Sequence, residues 1–251
     1  SSYSSGEHVT FYESAQAVQP WVRSQRKAAR DRITHEHLLA SSAIPFVFPA
    51  KGIAIDGHTE YFGDGSMRQS APIAAAIHLG AERVLVIGAG RMHEPRGDST
   101  APPSPSYPSL AQIAGHALSN IFLDALSVDV ERVQRINQTL SLIPEEKRTH
   151  SALRPVELLV IAPSQRLDAV AARHVGDLPG PVRTMLGALG VTSNMADVRG
   201  AALASYLLFE QGYTQELMAL GRADTLARRA DVCRFFGWKD TGAALRTRLP
   251  T

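Results

Sequence analysis

The chain has 251 residues, 44% of them hydrophobic and 20% charged, with 26 Lys and Arg against 24 Asp and Glu for a formal charge of +2. Those values exclude a collagen-like, disordered or disulfide-scaffold chain and describe a globular protein with enough residues for a sizeable core. So small a net charge argues against nucleic acid as a partner, because a polyanion would have to find a local basic patch.

Cys233 is the only cysteine, which forbids an intramolecular disulfide and leaves the redox compartment open. No apolar run reaches the roughly 18 residues that a membrane-spanning helix needs. A cytoplasmic protein, at most peripheral at a membrane, is therefore expected. The opening Ser1-Ser2-Tyr3-Ser4-Ser5-Gly6 lacks an initiator Met, a charged n-region and an apolar h-region, so it does not read as a signal peptide. It reads as a chain entered mid-fold.

Glu7 to Tyr12, β-branched and aromatic after a Ser/Gly turn, predicts a strand. Ala15 to Arg32 follows a helical pattern with basic residues at Arg23, Arg26, Lys27, Arg30 and Arg32. A solvated helix face explains that run, with contact to an anionic membrane as the alternative. Thr34 is placed to cap a helix running to Ala43 and stopped by Pro45. Gly52 to Ile55 and Thr59 to Phe62 flank Asp56-Gly57, a pair that favours tight hairpins. Pro72 to Leu79 predicts a helix with Pro in its first turn and Gly80 closing it.

Val84-Leu85-Val86-Ile87 is an unbroken apolar run directly after a helix, which predicts a central strand of a parallel sheet, covered on both faces. Residues 92 to 108 carry five prolines and form a long irregular loop. Beyond it, Leu110, Ile113, Ala117, Ile121 and Ala125, then Val133, Ile136 and Leu140, recur at helical spacing. Val156 to Ile161 predicts one more strand, and Leu167 to Trp238 is helical in pattern, most clearly over Asn194 to Glu210. The expected fold is α/β, a parallel-type sheet covered by helices, with a largely helical C-terminal half.

Several motifs carry little chemistry. His35 and His37 lie two apart on a helix and diverge by about 200°, so they cannot share an ion. The nine histidines are read as structural or surface groups, and no metal is expected. Gly88-Ala89-Gly90 follows a strand as a dinucleotide fingerprint would, but His93 stands at the third glycine and a Pro-rich loop follows. That is a strand-end turn, and no cofactor is expected. Gly97-Asp98-Ser99-Thr100 has neither the preceding strand nor the following helix of a nucleophile elbow.

A longer signal is more specific. Ala40-Ser41-Ser42-Ala43-Ile44-Pro45-Phe46-Val47-Phe48-Pro49 leads into the hairpin, then Tyr61-Phe62-Gly63-Asp64-Gly65-Ser66, Ala71-Pro72, and Leu79-Gly80-Ala81-Glu82-Arg83 before the apolar strand. This order of submotifs over residues 1 to 90 resembles the patatin-like phospholipases, a family of serine acyl hydrolases on an α/β sheet. The helical region after residue 108 is similar, more weakly, to the C-terminal extension of bacterial members.

The resemblance implies a Ser-Asp dyad that hydrolyses lipid acyl esters without metal or organic cofactor, and by motif position the base is Asp64. Gly63 and Gly65 on either side remove Cβ atoms and let the carboxylate stand in a tight turn. An ordinary turn Asp is the plain alternative, since Asp-Gly is a common turn pair. Ser66 replaces the family's Gly or Ala, and its hydroxyl could hydrogen-bond the carboxylate. No Gly-x-Ser-x-Gly occurs in the chain, so the nucleophile and oxyanion donors are expected on an upstream segment, and this chain alone is expected to be inactive. Residues 1–91 would be the C-terminal part of the catalytic domain, 92–108 a loop, and 109–251 a helical extension packed on it. The expected partners are a lipid or acyl-ester substrate, the upstream segment and, peripherally, a membrane. A non-catalytic binding or membrane-associating module is the alternative function.

Overall fold

The computed structural model describes residues 1–45, 47–55, 57–90, 110, 113–114, 116, 124–148, 151, 153–188, 191 and 198–240. It is a mixed α/β structure of small sheets and many helices. The chain divides into two compact units, residues 1–81 with 120–134, and residues 82–119 with 135–251.

The first unit opens with β1 (His8–Tyr12), β2 (Val22–Arg23) and β3 (Arg26–Arg30) in the order β1-β3-β2. β1 runs parallel to β3 with His8 opposite Arg26, and β2 folds back antiparallel with Arg23 opposite Arg26. The helix expected over Ala15 to Arg32 is therefore absent; its second half forms this hairpin. Arg and Ala are good helix formers, but the extended β1 satisfies the backbone of Arg26–Arg30 along its whole length, and sheet pairing outweighs local propensity of a few tenths of a kcal/mol per residue.

α1 (His35–Ser41) starts at Thr34, as its capping position suggests, and ends two residues before Ala43. The hairpin forms as expected, β4 (Lys51–Ile55) against β5 (His58–Phe62) with Ile55 opposite His58 and Gly57 in the left-handed region at φ 82°. Asp56 lies outside the described residues. α2 (Pro72–His78) carries Pro at its first position, and its Ile73 N–H is capped from afar by Asp129 Oδ2 at 2.9 Å. Asp129 stands on α3 (Asp124–Ser141), and Arg132 donates to its other oxygen at 3.3 Å. The core of this unit joins Val9, Ala40, Ile53 and Phe62, with Phe11, Ala29 and Ile55 packed around them. Alternate residues of β1 and β4 thus meet α1 and the end of β5.

In the second unit β6 (Arg83–Ile87) and β7 (Glu157–Ile161) form a parallel pair, Arg83 opposite Glu157. The parallel arrangement is as expected, but the double-sided cover is not. Val84 and Val86 are buried, whereas Leu85 is 40% and Ile87 76% exposed. An unbroken apolar run specifies no face by itself; on the exposed face, among the described residues, only Arg83 finds cover, lying over the Phe235 ring at 5.9 Å. Asn137 secures the entry to β7, donating to the Val156 carbonyl at 2.7 Å and accepting its N–H at 3.0 Å.

After a short α4 (Glu145–Arg148), which the sequence pattern does not predict, the region from Leu167 is helical as expected: α5 (Leu167–His174), α6 (Gly180–Ala188), α7 (Val198–Ser205), α8 (Gln211–Ala227) and α9 (Arg229–Phe236). Tyr206 to Glu210, inside the span expected to be most clearly helical, is not helical. α5 and α7 approach closely through Ala171 and Ala204, both without exposed surface, and Val170, Leu186 and Tyr213 complete that core. The loop over 92–108, Gly97 to Thr100 and His93 lie outside the described residues. No helix among the described residues is long and apolar enough to cross a membrane.

An ion cluster ties α5 to α8. His174 Nδ1 meets Asp177 Oδ2 at 2.8 Å and its Nε2 meets Glu216 Oε2 at 2.7 Å, while Arg173 pairs with the other oxygen of Glu216. Glu216 and then Asp177 hold the imidazole above its ordinary pKa, and His174 and then Arg173 hold Glu216 below its own. The His174 contribution to stability is full below about pH 6.5 and fades as pH rises through its raised value; that of Glu216 is full above about pH 4.3 and fades as pH falls through its lowered value. The difference in urea midpoint between the wild type and His174→Gln is therefore expected to be widest in between and to shrink above about pH 6.5. A difference independent of pH would show that the pair contributes nothing through its charge.

Candidate active site

Asp64 lies just past β5, where residues 1–3 reach across. Tyr3 N–H donates to the Tyr61 carbonyl at 3.0 Å, Gly63 N–H to the Ser1 carbonyl at 2.9 Å, and Ser2 Oγ to the buried carboxylate of Glu60. On the other side Asp64 N–H donates to the Ala43 carbonyl at 2.9 Å, joining the turn to the end of α1. The turn is thus held from two directions by backbone bonds.

The carboxylate is 7% exposed. Its Oδ1 accepts the Ser66 backbone N–H at 2.8 Å, capping the short 3-10 turn Gly65–Met67. Among the described residues Oδ2 accepts no hydrogen bond. The Ser66 main chain, rather than its hydroxyl, is what engages Asp64, so the serine in place of Gly or Ala leaves the carboxylate's contacts as Gly or Ala would.

The two glycines differ. A Cβ on Gly63 would run into the hydroxyl end of the Tyr3 ring, 2.8 Å from its Cε2, so a side chain here would displace that half-exposed ring. Gly65 has neither a left-handed φ nor a crowded Cβ position; its nearest neighbour would be His8 Cε1 at 3.7 Å, an ordinary contact. On the side a Cβ would occupy, neither glycine is brought against another backbone: the nearest group is a Tyr3 side chain at Gly63 and a His8 side chain at Gly65. Gly65→Ala is expected to retain the fold and raise stability by about 0.4–1 kcal/mol through the unfolded chain. A lower urea midpoint would show an obligatory glycine.

Gly63 and Gly65 also line a cavity of about 270 Å³. Phe11, Leu38 and Phe62 give it apolar walls, and His8 and His37 bring imidazoles to it. Neither histidine stands out in the sequence; the topology alone brings β1, α1 and the Asp64 turn around one space.

Hydrogen bonding decides both tautomers. The Gly65 carbonyl can only accept, so His8 Nδ1 carries the proton that reaches it at 3.2 Å, leaving Nε2 to accept from the Thr10 hydroxyl at 3.4 Å. Burial, joined by the positive N-terminus and Arg26, pushes the His8 pKa down despite that carbonyl, which favours the neutral ring. At His37 the Thr34 N–H donates to Nδ1 at 3.2 Å, so the proton of the neutral ring sits on Nε2. That nitrogen is buried without a hydrogen-bond partner, Asp31 Oδ2 standing 3.6 Å away. The ring packs edge-on to Phe11 at 4.7 Å.

No group of three or more His, Cys, Asp or Glu among the described residues could hold a metal ion. Gly88 continues β6, its N–H donating to the Ile161 carbonyl at 2.8 Å. Comparison of the chain with family models, with characterised proteins and with solved structures finds no match.

Proposed function

We propose that this chain supplies the general base of a patatin-like serine acyl hydrolase, Asp64 taking the proton of a serine hydroxyl as that oxygen attacks an acyl ester. The observation that carries the reading is the state of the carboxylate. It is buried, one oxygen is fixed by the Ser66 N–H, the other accepts no hydrogen bond among the described residues, and the flanking Gly63 and Gly65, though not Asp64 itself, line a cavity with apolar walls. A base needs that division, an anchored oxygen for orientation and an open one for the proton.

His8 fits the same scheme as a positioning residue. Its neutral ring donates to the Gly65 carbonyl and so holds the residue directly after Asp64. A neutral imidazole adds no positive charge beside the carboxylate. In the ensuing steps the serine would form an acyl-enzyme, and Asp64 would return its proton to the leaving alcohol and activate water for deacylation.

No Gly-x-Ser-x-Gly stands among the 251 residues, so the nucleophile in this proposal is contributed from outside them. The test is reconstitution. The purified chain is expected to show no turnover of a chromogenic acyl ester, and to gain it when mixed or co-expressed with the polypeptide encoded upstream that carries the elbow. Turnover by the purified chain alone would overturn the proposal, as would an upstream polypeptide that reaches full activity without this chain.

A further inference from the structure

Among the described residues the basic run over 23–32 leaves three guanidinium groups, those of Arg23, Arg26 and Arg32, without a hydrogen bond or ion pair, and the first two stand together. Lys27 pairs with Glu7 at 3.4 Å and Arg30 donates to the Ser14 carbonyl at 2.8 Å. Among the described residues Arg23 and Arg26 have no such partner. They are also directly opposite each other in the β2–β3 ladder, where like charges destabilise the pair. The turn between them, Ser24-Gln25, holds Gln25 in the left-handed region at φ 58°, unusual for a side chain of that kind. Its carbonyl is pinned by the His8 N–H at 2.9 Å. The fold thus holds two like charges together at a strained turn.

Around them the surface is firm. Tyr12 and Trp21 stack at 5.8 Å and 20°, and Trp21 and His78 at 5.0 Å and 25°. Arg23, Arg26, Trp21 and His78 line one shallow cleft. His78 is pushed below its ordinary pKa by burial and then by Arg23 and Arg26, so both guanidinium groups act on the same spot. His8, Thr10 and Gln69 form a wall shared with the cavity lined by Gly63 and Gly65.

We propose that Arg23 and Arg26, backed by the Trp21–His78 stack, form a binding site for a phosphate group. A carboxylate, with one charge and two oxygens, would leave one arginine uncompensated. A phosphate monoester carries a charge near −1.5 to −2 and three acceptor oxygens, enough for two guanidinium forks at once. The site stands independently of Asp64 chemistry. Its ligand is either the phosphate of a lipid headgroup or that of a soluble phosphate ester.

The experiment uses the full chain carrying Trp238→Phe, which leaves Trp21 as the only tryptophan. Inorganic phosphate and glycerol 3-phosphate are titrated to about 20 mM against sodium chloride of equal ionic strength, following Trp21 emission and the His78 ring protons by NMR. A saturable response is expected, and Arg23→Gln or Arg26→Gln should each weaken it by about tenfold or more, as loss of a charge-assisted bond requires. Arg23→Lys, which keeps the charge but loses the fork, should retain part of it. Circular dichroism of each variant guards against misfolding, and Arg23, being exposed, is the safer of the two. Vesicles of phosphatidylcholine with about 30 mol% phosphatidic acid then identify the source. Pelleting that phosphate competes away assigns a headgroup; saturation by phosphate without pelleting assigns a soluble ester. No saturable change in either signal, or the same saturation in both glutamine variants, overturns the site.

Discussion

Asp64→Asn is expected to lower the turnover of the reconstituted hydrolase by about 10²- to 10⁴-fold, the range that a positioned general base contributes. The substitution changes little else. An amide keeps an oxygen to accept the Ser66 N–H, so the cap of the 3-10 turn survives, and the Asp64 backbone bond to Ala43 does not involve the side chain. What the amide cannot do is accept the proton of a serine. The urea midpoint of the 251-residue chain should therefore stay near the wild-type value while the rate falls. Asp64→Ala is the comparison: it loses the base and the cap together, with about 1 kcal/mol of stability going with the cap. Full activity in a folded Asp64→Asn chain would mean that Asp64 is a capping residue and nothing more.

Phe62→Ala should produce the largest loss of stability, about 3–5 kcal/mol out of the roughly 5–15 kcal/mol that a domain has to lose. Phe62 is among the largest fully buried side chains of the described residues and packs edge-on to Phe11 with centroids 5.4 Å apart. It also touches the Val9, Ala40 and Ile53 core and forms one wall of the cavity. Removing the ring therefore enlarges an existing cavity, and the surroundings have little reason to collapse into it. Phe62 precedes Asp64 by two residues, so the same variant should loosen the turn and reduce reconstituted turnover beyond what unfolding explains. Phe62→Leu, which retains most of the volume, should cost much less. Urea unfolding of the two variants checks the order. Equal midpoints for Phe62→Ala and the wild type would show that the β5 end contributes little to the core.

The elements that local chemistry dictates are the ones that could be read in advance. Asp56-Gly57 predicts a two-residue turn because glycine alone takes φ 82° without penalty, and the strands on either side follow in register. Pro72 predicts the start of α2 because its ring presets φ and its missing N–H is not needed there. Thr34 before α1 and Gly80 after α2, at φ 99°, mark their helices for the same kind of reason. Asp64 was legible as a turn residue between two glycines, and the linked submotifs around it suggested the base. Its burial was not legible, because that depends on residues 1–3 crossing β5 and on the carbonyl of Ala43, more than 20 positions away.

By itself, then, the amino-acid order determined the mixed α/β character, the hairpin, the starts of α1 and α2 and the candidate carboxylate, all of which rest on backbone preferences acting over a few residues. Tertiary structure decided the rest. It turned Arg26–Arg30 from a helix-like run into a strand, since β1 supplies a ladder along its whole length; it buried Val84 and Val86 of β6 while leaving Leu85 and Ile87 exposed; and it brought His8 and His37 to one cavity. Those outcomes depend on hydrogen bonds and contacts between segments far apart in the chain, and such pairings leave no mark on the spacing of residues within either segment.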